Sequence, residues 1–167
     1  MAKKGKYGIY IAGGIALLFG ILAFCMMFLD AVTYTGKAFG SEFSFTGSQL
    51  AFGDKLEEGS IEVETLKFNI MTLLGFALPL IGGVLALLFK NGLITKIVTT
   101  ACFVVGAVFL FSTTGFTAIS LTQDVKDVIT LAYDEKLAVG PIIGGILAIL
   151  GAVVCFFKGT IAKKIGC

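Results

Sequence analysis

The chain has 167 residues, of which 57% are hydrophobic and only 14% are charged, with a formal net charge of +2 at neutral pH. Soluble domains carry about 45–50% apolar and about 25% charged residues, so this composition excludes an ordinary soluble domain and a disordered chain. It indicates an integral membrane protein. Every basic residue is a lysine, and there is no histidine or tryptophan. The commonest general base and metal ligand is therefore missing.

Four long apolar runs follow in chain order, at about residues 7–29, 68–89, 97–119 and 137–157. None of them contains Lys, Asp or Glu, and each is long enough to cross a bilayer as a helix, which takes about 20 residues. Continuous apolar runs without strict alternation favour helices over barrel strands. The sequence therefore predicts an all-α membrane protein in which residues 1–167 form a single four-transmembrane-helix bundle.

The charged residues divide sharply between the two sets of segments that flank these runs. The termini and the short connection between the second and third runs hold eight lysines and no acid. The two longer loops, residues 30–67 and 120–136, hold five lysines and all eleven acids. Short lysine-rich flanks stay on the cytoplasmic side. We therefore expect a multi-pass protein of the cell membrane with both termini in the cytoplasm and two outer loops.

The first outer loop, residues 30–67, carries the signature of short strands. Residues 43–45 and 49–52 have extended character, and residues 61–65 alternate between apolar or Thr and acidic side chains. The glycines between these segments indicate turns. The pattern predicts a small extracellular antiparallel β-sheet of two or three strands in this loop, with Ile61 and Val63 buried.

Four phenylalanines of the same loop have two interpretations. The favoured one is packing beneath the sheet, because a short sheet needs one covered face. The alternative is an exposed surface that docks a partner. The residues concerned are Phe39, Phe43, Phe45 and Phe52.

In the second outer loop, residues 120–136, apolar side chains recur at helical spacing. They are Leu121, Val125, Val128, Ile129 and Ala132. This spacing predicts a short amphipathic helix that continues the third span or lies at the membrane interface.

Small residues recur every four positions in the first and fourth runs. Such stripes let helix backbones approach closely, and van der Waals packing holds helices together in lipid. Contact with other helices of the same bundle is the favoured interpretation, and a dimer face is the alternative. The residues that define the stripes are Ala12, Ala16, Gly20, Gly140, Gly144 and Ala148.

The four apolar runs contain few polar side chains and no ionisable Lys, Asp or Glu. Proton pumps and transporters usually mark their path with ionisable residues inside the membrane, and these runs have none. The third run does hold a series of hydroxyls, including Thr99, Ser112, Thr113 and Thr117. Such groups can bond to their own helix, so a polar pore is the minority interpretation. The four cysteines form no C-x-x-C pair. The sequence predicts no catalytic site, cofactor, metal or nucleic-acid partner.

The layout of four helices, inside termini, a long first outer loop with strands and a shorter second one resembles that of claudin-like tetraspan proteins. The tryptophan and paired cysteines of that family's first loop have no counterpart here, so no functional residue is carried over. Residues 45–47, 50–53 and 78–83 are also similar to segments of small uncharacterised membrane proteins of Gram-positive bacteria.

These observations lead to a hypothesis of a non-enzymatic integral membrane protein that acts through interactions. It would be a scaffold, an accessory subunit or a self-assembling tetraspan. Its partners would be the lipid bilayer and other membrane proteins or further copies of itself. The alternative is a small channel or transporter for a neutral or lipid-like solute.

Overall fold

The computed structural model describes residues 4–37, 40–58, 61–89, 92–121 and 123–165. The elements in chain order are α1 (Lys4–Cys25), a 3₁₀ turn (Met26–Phe28), β1 (Asp30–Gly36), β2 (Glu42–Thr46), α2 (Gly47–Phe52), β3 (Asp54–Glu58), β4 (Ile61–Leu66), α3 (Ile70–Leu88), α4 (Leu93–Phe111), α5 (Thr113–Ser120), α6 (Gln123–Ala132), β5 (Tyr133–Leu137) and α7 (Val139–Ile165).

The four long helices form a ring. Helix α1 packs against α3 and α7, and α4 packs against the same two helices from the opposite side. All four helices contain segments long and apolar enough to cross a membrane, at residues 8–28, 70–88, 93–111 and 139–162. The predicted bundle of four apolar helices is therefore confirmed. The strands and α6 lie at one end, called here the sheet end, and the opposite end is called the lysine end.

Glycines allow the helices of the ring to touch through their backbones. A Cβ atom on Gly20 would lie 2.5 Å from the carbonyl oxygen of Pro79, and one on Gly83 would lie 2.8 Å from the Cα of Leu17. Real side chains cannot occupy those positions, so α1 and α3 pack at a separation that only glycine permits. In lipid the hydrophobic effect does not drive helices together. Close backbone approach of this kind then stabilises a helix pair through van der Waals packing.

The sheet end holds two antiparallel sheets. One has three strands in the order β2–β1–β5, and the other is the β3–β4 pair. Strand β5 belongs to the second loop, which the sequence analysis expected to contribute only a helix. The prediction of a sheet is thus confirmed, but its placement within the first loop alone is wrong. Strand β1 is central and joins the two loops.

Residues 49–52, expected to be extended, belong instead to the short helix α2. The local reason is a capping box: the backbone N–H of Gln49 donates to Thr46 Oγ1, and the Gln49 side chain accepts from the Thr46 N–H. Both donors would otherwise be unsatisfied at a helix start. Gly53 follows with a φ of +87° and ends the helix.

Helix boundaries at the third and fourth spans differ from the expected ones. The third span is a single helix only to Phe111, where Ser112 adopts a non-helical conformation and α5 begins anew. The fourth helix runs on to Ile165, so Lys158 lies inside it. The predicted amphipathic helix of the second loop is confirmed as α6, with Ile129 buried. The expected burial of Ile61 and Val63 concerns side chains outside the described ones.

Lys158 is buried at the lysine end because it caps a neighbouring helix. Its Nζ atom donates to the carbonyl oxygens of Ala86 and Phe89, the latter at 3.1 Å. The last carbonyls of a helix have no partner within the helix and carry partial negative charge. The ammonium group therefore satisfies the end of α3 and ties it to α7.

Candidate functional site

A polar cluster at the sheet end joins two strands to a helix. Tyr34 on β1 and Glu135 on β5 are directly opposite in the ladder. Thr117 on α5 donates its hydroxyl to Glu135 Oε1, and the same hydroxyl lies 2.7 Å from the carbonyl oxygen of Thr114. Because a hydroxyl has one proton to donate, Thr117 bonds either to its own helix or to the strand. This cluster of Tyr34, Thr117 and Glu135 is called here the polar cluster.

Aromatic packing fixes the tyrosine of this cluster. The ring of Tyr34 stacks on Phe43 at a centroid distance of 5.1 Å and meets Phe45 edge to face at 5.9 Å. Phe43 in turn contacts Tyr133 at 5.0 Å. Aromatic pairs in these geometries add stability beyond the area that they bury. The tyrosine is only 1% exposed, so its hydroxyl has a defined position against β5.

Burial perturbs both acids of the polar cluster. It raises the pKa of Tyr34 to about 12, with the negative charge of Glu135 as the second cause. Partial burial of its carboxyl also raises the pKa of Glu135, although the residue as a whole is exposed, and the hydrogen bond from Thr117 partly offsets this rise. The Tyr34 hydroxyl is buried close to Thr117 and Glu135, but it makes no hydrogen bond of good geometry with any described residue. Such a group is a strong donor for anything polar that reaches it.

A cavity of about 170 Å³ adjoins the polar cluster. Its walls combine two lysines, two acids and apolar or aromatic surface, and they are formed by Tyr34, Lys37, Leu121, Lys126, Ile129, Tyr133, Asp134 and Glu135. Lys37 and Asp134 form an exposed ion pair at 3.6 Å, which contributes little stability. The walls thus have balanced charge. Their chemistry suits recognition of a small polar group and supplies no nucleophile–base pair.

Within the residues that the structure describes, no group of His, Cys, Asp or Glu is arranged to hold a metal ion. Asp54, in the acidic part of the first loop, accepts a hydrogen bond from Gln49 Nε2 at 2.8 Å. That bond joins the end of α2 to β3. The side chains at positions 55–58 and 61–65 lie outside the described ones.

The structure separates the four phenylalanines proposed as a partner surface. Phe43 and Phe45 pack against Tyr34 within the sheet, and Phe39 lies outside the described residues. Phe52, at the end of α2, is 59% exposed. Two further exposed phenylalanines, Phe28 and Phe68, stand on the chain segments next to α2, which packs against the 3₁₀ turn and against α3. Phe28, Phe52 and Phe68 are called here the rim patch.

The two stripes of small residues lie inside the ring. Ala12, Ala16 and Ala148 are fully buried. A Cβ on Gly140 would lie 2.8 Å from the carbonyl oxygen of Met26, and one on Gly144 would lie 3.3 Å from Leu110 Cδ1. With Gly20 against Pro79, the stripes thus contact neighbouring helices of the same chain.

The hydroxyls of the third span bond mainly to their own helices. Thr99 donates to the carbonyl oxygen of Thr95 at 2.8 Å, and Thr113 donates to that of Leu110 at 2.7 Å. Both side chains are buried in the bundle. Thr100, by contrast, has a buried hydroxyl oxygen without a partner. The geometry of Thr99 and Thr113 is that of back-bonded threonines in a packed helix.

Comparison of the chain with family models, with curated proteins and with solved structures found no match. Its function therefore has to be argued from its own surfaces. Those surfaces are the polar cluster with its cavity, the rim patch and the outer faces of the four helices.

Proposed function

We propose that this chain is a non-enzymatic multi-pass membrane protein that acts through interactions, with the rim patch as its docking surface. The observation that carries the proposal is the exposure of Phe52 on α2, outside the apolar helices, together with that of Phe28 and Phe68 on the chain segments next to α2. Scattered exposed apolar residues are ordinary, but contiguous apolar patches mark interaction sites. Aromatic residues are also enriched at protein interfaces.

The position of the patch suggests which kind of partner it binds. All three phenylalanines surround the point where α1 ends and α3 begins, so they lie at the level at which these helices would leave the bilayer. A partner that reaches this level is itself a membrane protein, or a second copy of the chain. We therefore favour a lateral contact within the membrane plane over the capture of a soluble protein.

The alternative function, transport along the third span, has less support. A polar path needs hydroxyls that face a shared cavity, whereas those of Thr99 and Thr113 face backbone carbonyls of α4. Contacts of Gly20 and Gly83 with backbone atoms also leave little space between α1 and α3. Flux of a neutral solute into liposomes that is lost in Thr113→Val would reverse this preference.

Mass measurement in a mild detergent tests the interaction proposal. We expect the protein extracted from native membranes to run as a complex larger than one chain. Phe52→Ser should reduce that complex, while Leu131→Ser, at an 81% exposed position on α6, should leave it intact. A strict monomer with no associated protein would contradict the proposal.

We further propose that the protein lies in the cell membrane with both termini and the lysine end in the cytoplasm. The support is the distribution of lysines and acids along the sequence, which follows the positive-inside rule. Single cysteines placed at Ser48 and Gly92 of a cysteine-free variant should differ in labelling by an impermeant thiol reagent. Only Ser48→Cys should react from outside intact cells, and equal labelling of both would refute this orientation.

A further inference from the structure

A long groove runs between α4 and α7 on the outer surface of the bundle. It consists of two adjoining cavities of about 420 Å³ and about 660 Å³ that share Thr100, Val104, Phe156 and Phe157 as lining residues. Almost all of its lining is apolar. The groove reaches from Lys96 and Thr160 near the lysine end to Phe111.

The groove is long enough to hold an extended hydrocarbon chain. Lys96 and Phe111 are fifteen residues apart on one helix, which corresponds to about 22 Å at 1.5 Å per residue. One leaflet of a bilayer contributes about 15 Å of hydrocarbon depth. A single acyl chain of a phospholipid can therefore lie along the groove from the level of the headgroup inward.

Polar groups occur in the groove where such a lipid has its own polar groups. The ammonium group of Lys96 stands at the lysine end. Thr100 lies about one helical turn deeper, about 6 Å along the axis, and its hydroxyl oxygen is buried without a partner among the described residues. The ester carbonyls of a phospholipid lie just below its phosphate, so one of them can accept the Thr100 proton once that side chain rotates toward the groove, while the phosphate meets Lys96.

Charge decides between a lipid and a second copy of the chain as the occupant. The described segments that form the lysine end, residues 4–10, 85–89, 92–100 and 155–165, hold lysines and no acid. A symmetric pair of chains joined through this groove would bring Lys96 of each copy together without a compensating carboxylate. Like charges in that arrangement repel, whereas an anionic headgroup satisfies them.

We propose that the α4–α7 groove is a binding site for an anionic phospholipid, with one acyl chain along Val104 and Phe156, an ester carbonyl at Thr100 and the phosphate at Lys96. The site uses a different surface from the rim patch, and it rests on the proposed function only in requiring that the chain lies in a membrane. It differs from the general lipid contact of a membrane protein in depending on two particular polar side chains.

Lipid retention in native mass spectrometry tests the site. The protein in mild detergent is titrated with phosphatidylglycerol or with phosphatidylcholine of the same acyl chains. We expect one phosphatidylglycerol to be retained about tenfold more strongly than phosphatidylcholine, because the positive choline group cancels the net charge of the headgroup and repels Lys96, although the phosphate itself is the same. Lys96→Gln should abolish the preference, and Lys96→Arg should preserve it. Thr100→Val should weaken retention of both lipids.

Controls make the outcome decisive. Lys136→Gln, which removes an exposed lysine at the sheet end, should leave the preference unchanged, and inorganic phosphate should not compete. Equal retention of the two lipids by the wild-type protein, or a preference that survives Lys96→Gln in a variant of unchanged helical content, would overturn the proposal. A concentration-dependent dimer that lipid does not dissociate and that Val104→Phe disrupts would also overturn it, in favour of a second copy.

Discussion

At the scale of single residues, the hydroxyl of Tyr34 offers a direct test of the polar cluster. The ring is packed among Phe43 and Phe45, but the buried hydroxyl makes no hydrogen bond of good geometry with any described residue. An unsatisfied buried hydroxyl costs about 1–3 kcal/mol. Tyr34→Phe should therefore leave the free energy of unfolding unchanged or raise it by about 1 kcal/mol, as measured by SDS titration with circular dichroism.

Tyr34→Ala is the matched variant, because it removes the ring as well. Loss of a buried aromatic side chain lowers the free energy of unfolding by about 3–5 kcal/mol. If Tyr34→Phe alone lowers it by more than about 1 kcal/mol, the hydroxyl donates to Glu135 in solution and the cluster is a closed network.

The carboxyl of Glu135 should make stability depend on pH. Its folded pKa is raised above the ordinary value of 4.5 by burial, so folding favours the protonated form. The contribution of the protonated Glu135 carboxyl to the free energy of unfolding is then complete below pH 4.5, and it is lost as the pH rises through the folded pKa. The difference in melting temperature between Glu135→Gln and the wild type should therefore shrink as the pH falls from about 7 to about 4.

Thr117→Val provides the control for this pH dependence. The hydroxyl of Thr117 lowers the pKa of Glu135 through its hydrogen bond, so its removal should move the pH-dependent step to higher pH. The step should be absent from Glu135→Gln. A step that persists in Glu135→Gln belongs to another acid.

The sequence held only part of the signal for the polar cluster. Residues 30–36, which form β1, are not among the segments predicted as strands, and residues 133–137 contain three consecutive charged side chains, Asp134, Glu135 and Lys136. Such a run is typical of a solvated turn, because no face of it is apolar. The pairing with Tyr34 depends on a contact between residues about a hundred positions apart, which local pattern does not encode.

At the scale of elements, the contact of α1 with α3 tests how glycine sets helix separation. Gly83→Ala would bring a Cβ within 2.8 Å of the Cα of Leu17, whereas a Cβ on Gly14 meets no atom within 4 Å. Overpacking of this kind costs about 1–3 kcal/mol. In an open helical position, Gly→Ala instead gains up to about 1 kcal/mol. The two substitutions should therefore shift the midpoint of SDS unfolding in opposite directions.

If both alanines stabilise the protein, α1 and α3 can separate without loss and the close approach is not required. If both destabilise it, Gly14 has a contact of its own, such as a lipid or partner surface. The matched design removes helix propensity as an explanation, since both sites are helical glycines.

The long helices followed from the sequence because their apolar runs are continuous and exceed the thickness of the bilayer core. The smaller elements depended on side-chain detail. Helix α2 forms because Thr46 and Gln49 cap it, a signal that competes with the extended character of Leu50, Ala51 and Phe52. No glycine or proline marks the end of α4 at Ser112. The sequence therefore predicts that the third span continues to residue 119, whereas α4 ends at Phe111.

At the scale of the whole molecule, β1 connects the two loops, so a substitution that disrupts one loop should also destabilise the other. In the β1–β5 ladder, the Ala138 N–H donates to the Ala31 carbonyl, and hydrogen-bonded pairs alternate in antiparallel strands. The Thr33–Lys136 pair is therefore a bonded one. Lys136→Pro removes its N–H donor and should release β5 from the sheet.

The expected result is faster trypsin cleavage within residues 30–69, although the substitution lies in the other loop. Lys136→Ala keeps the N–H at the same exposed position and should behave as the wild type, within about 0.5 kcal/mol in stability. Cleavage that accelerates only within residues 120–137 would show that the first loop folds independently of β5.

The central position of β1 has a consequence for how the protein is made. The ribosome releases β1 about a hundred residues before its partner β5, which directly precedes α7. Until then one edge of β1 has no strand beside it, and such an edge recruits foreign strands. Because closing a long loop is slow, this edge of β1 stays unpaired for some time after synthesis. Any chain that stops before residue 133 would keep an unpaired edge of β1 on the β2–β1 hairpin. Quality-control proteases of the cell could use this unpaired edge to distinguish unfinished molecules from finished ones.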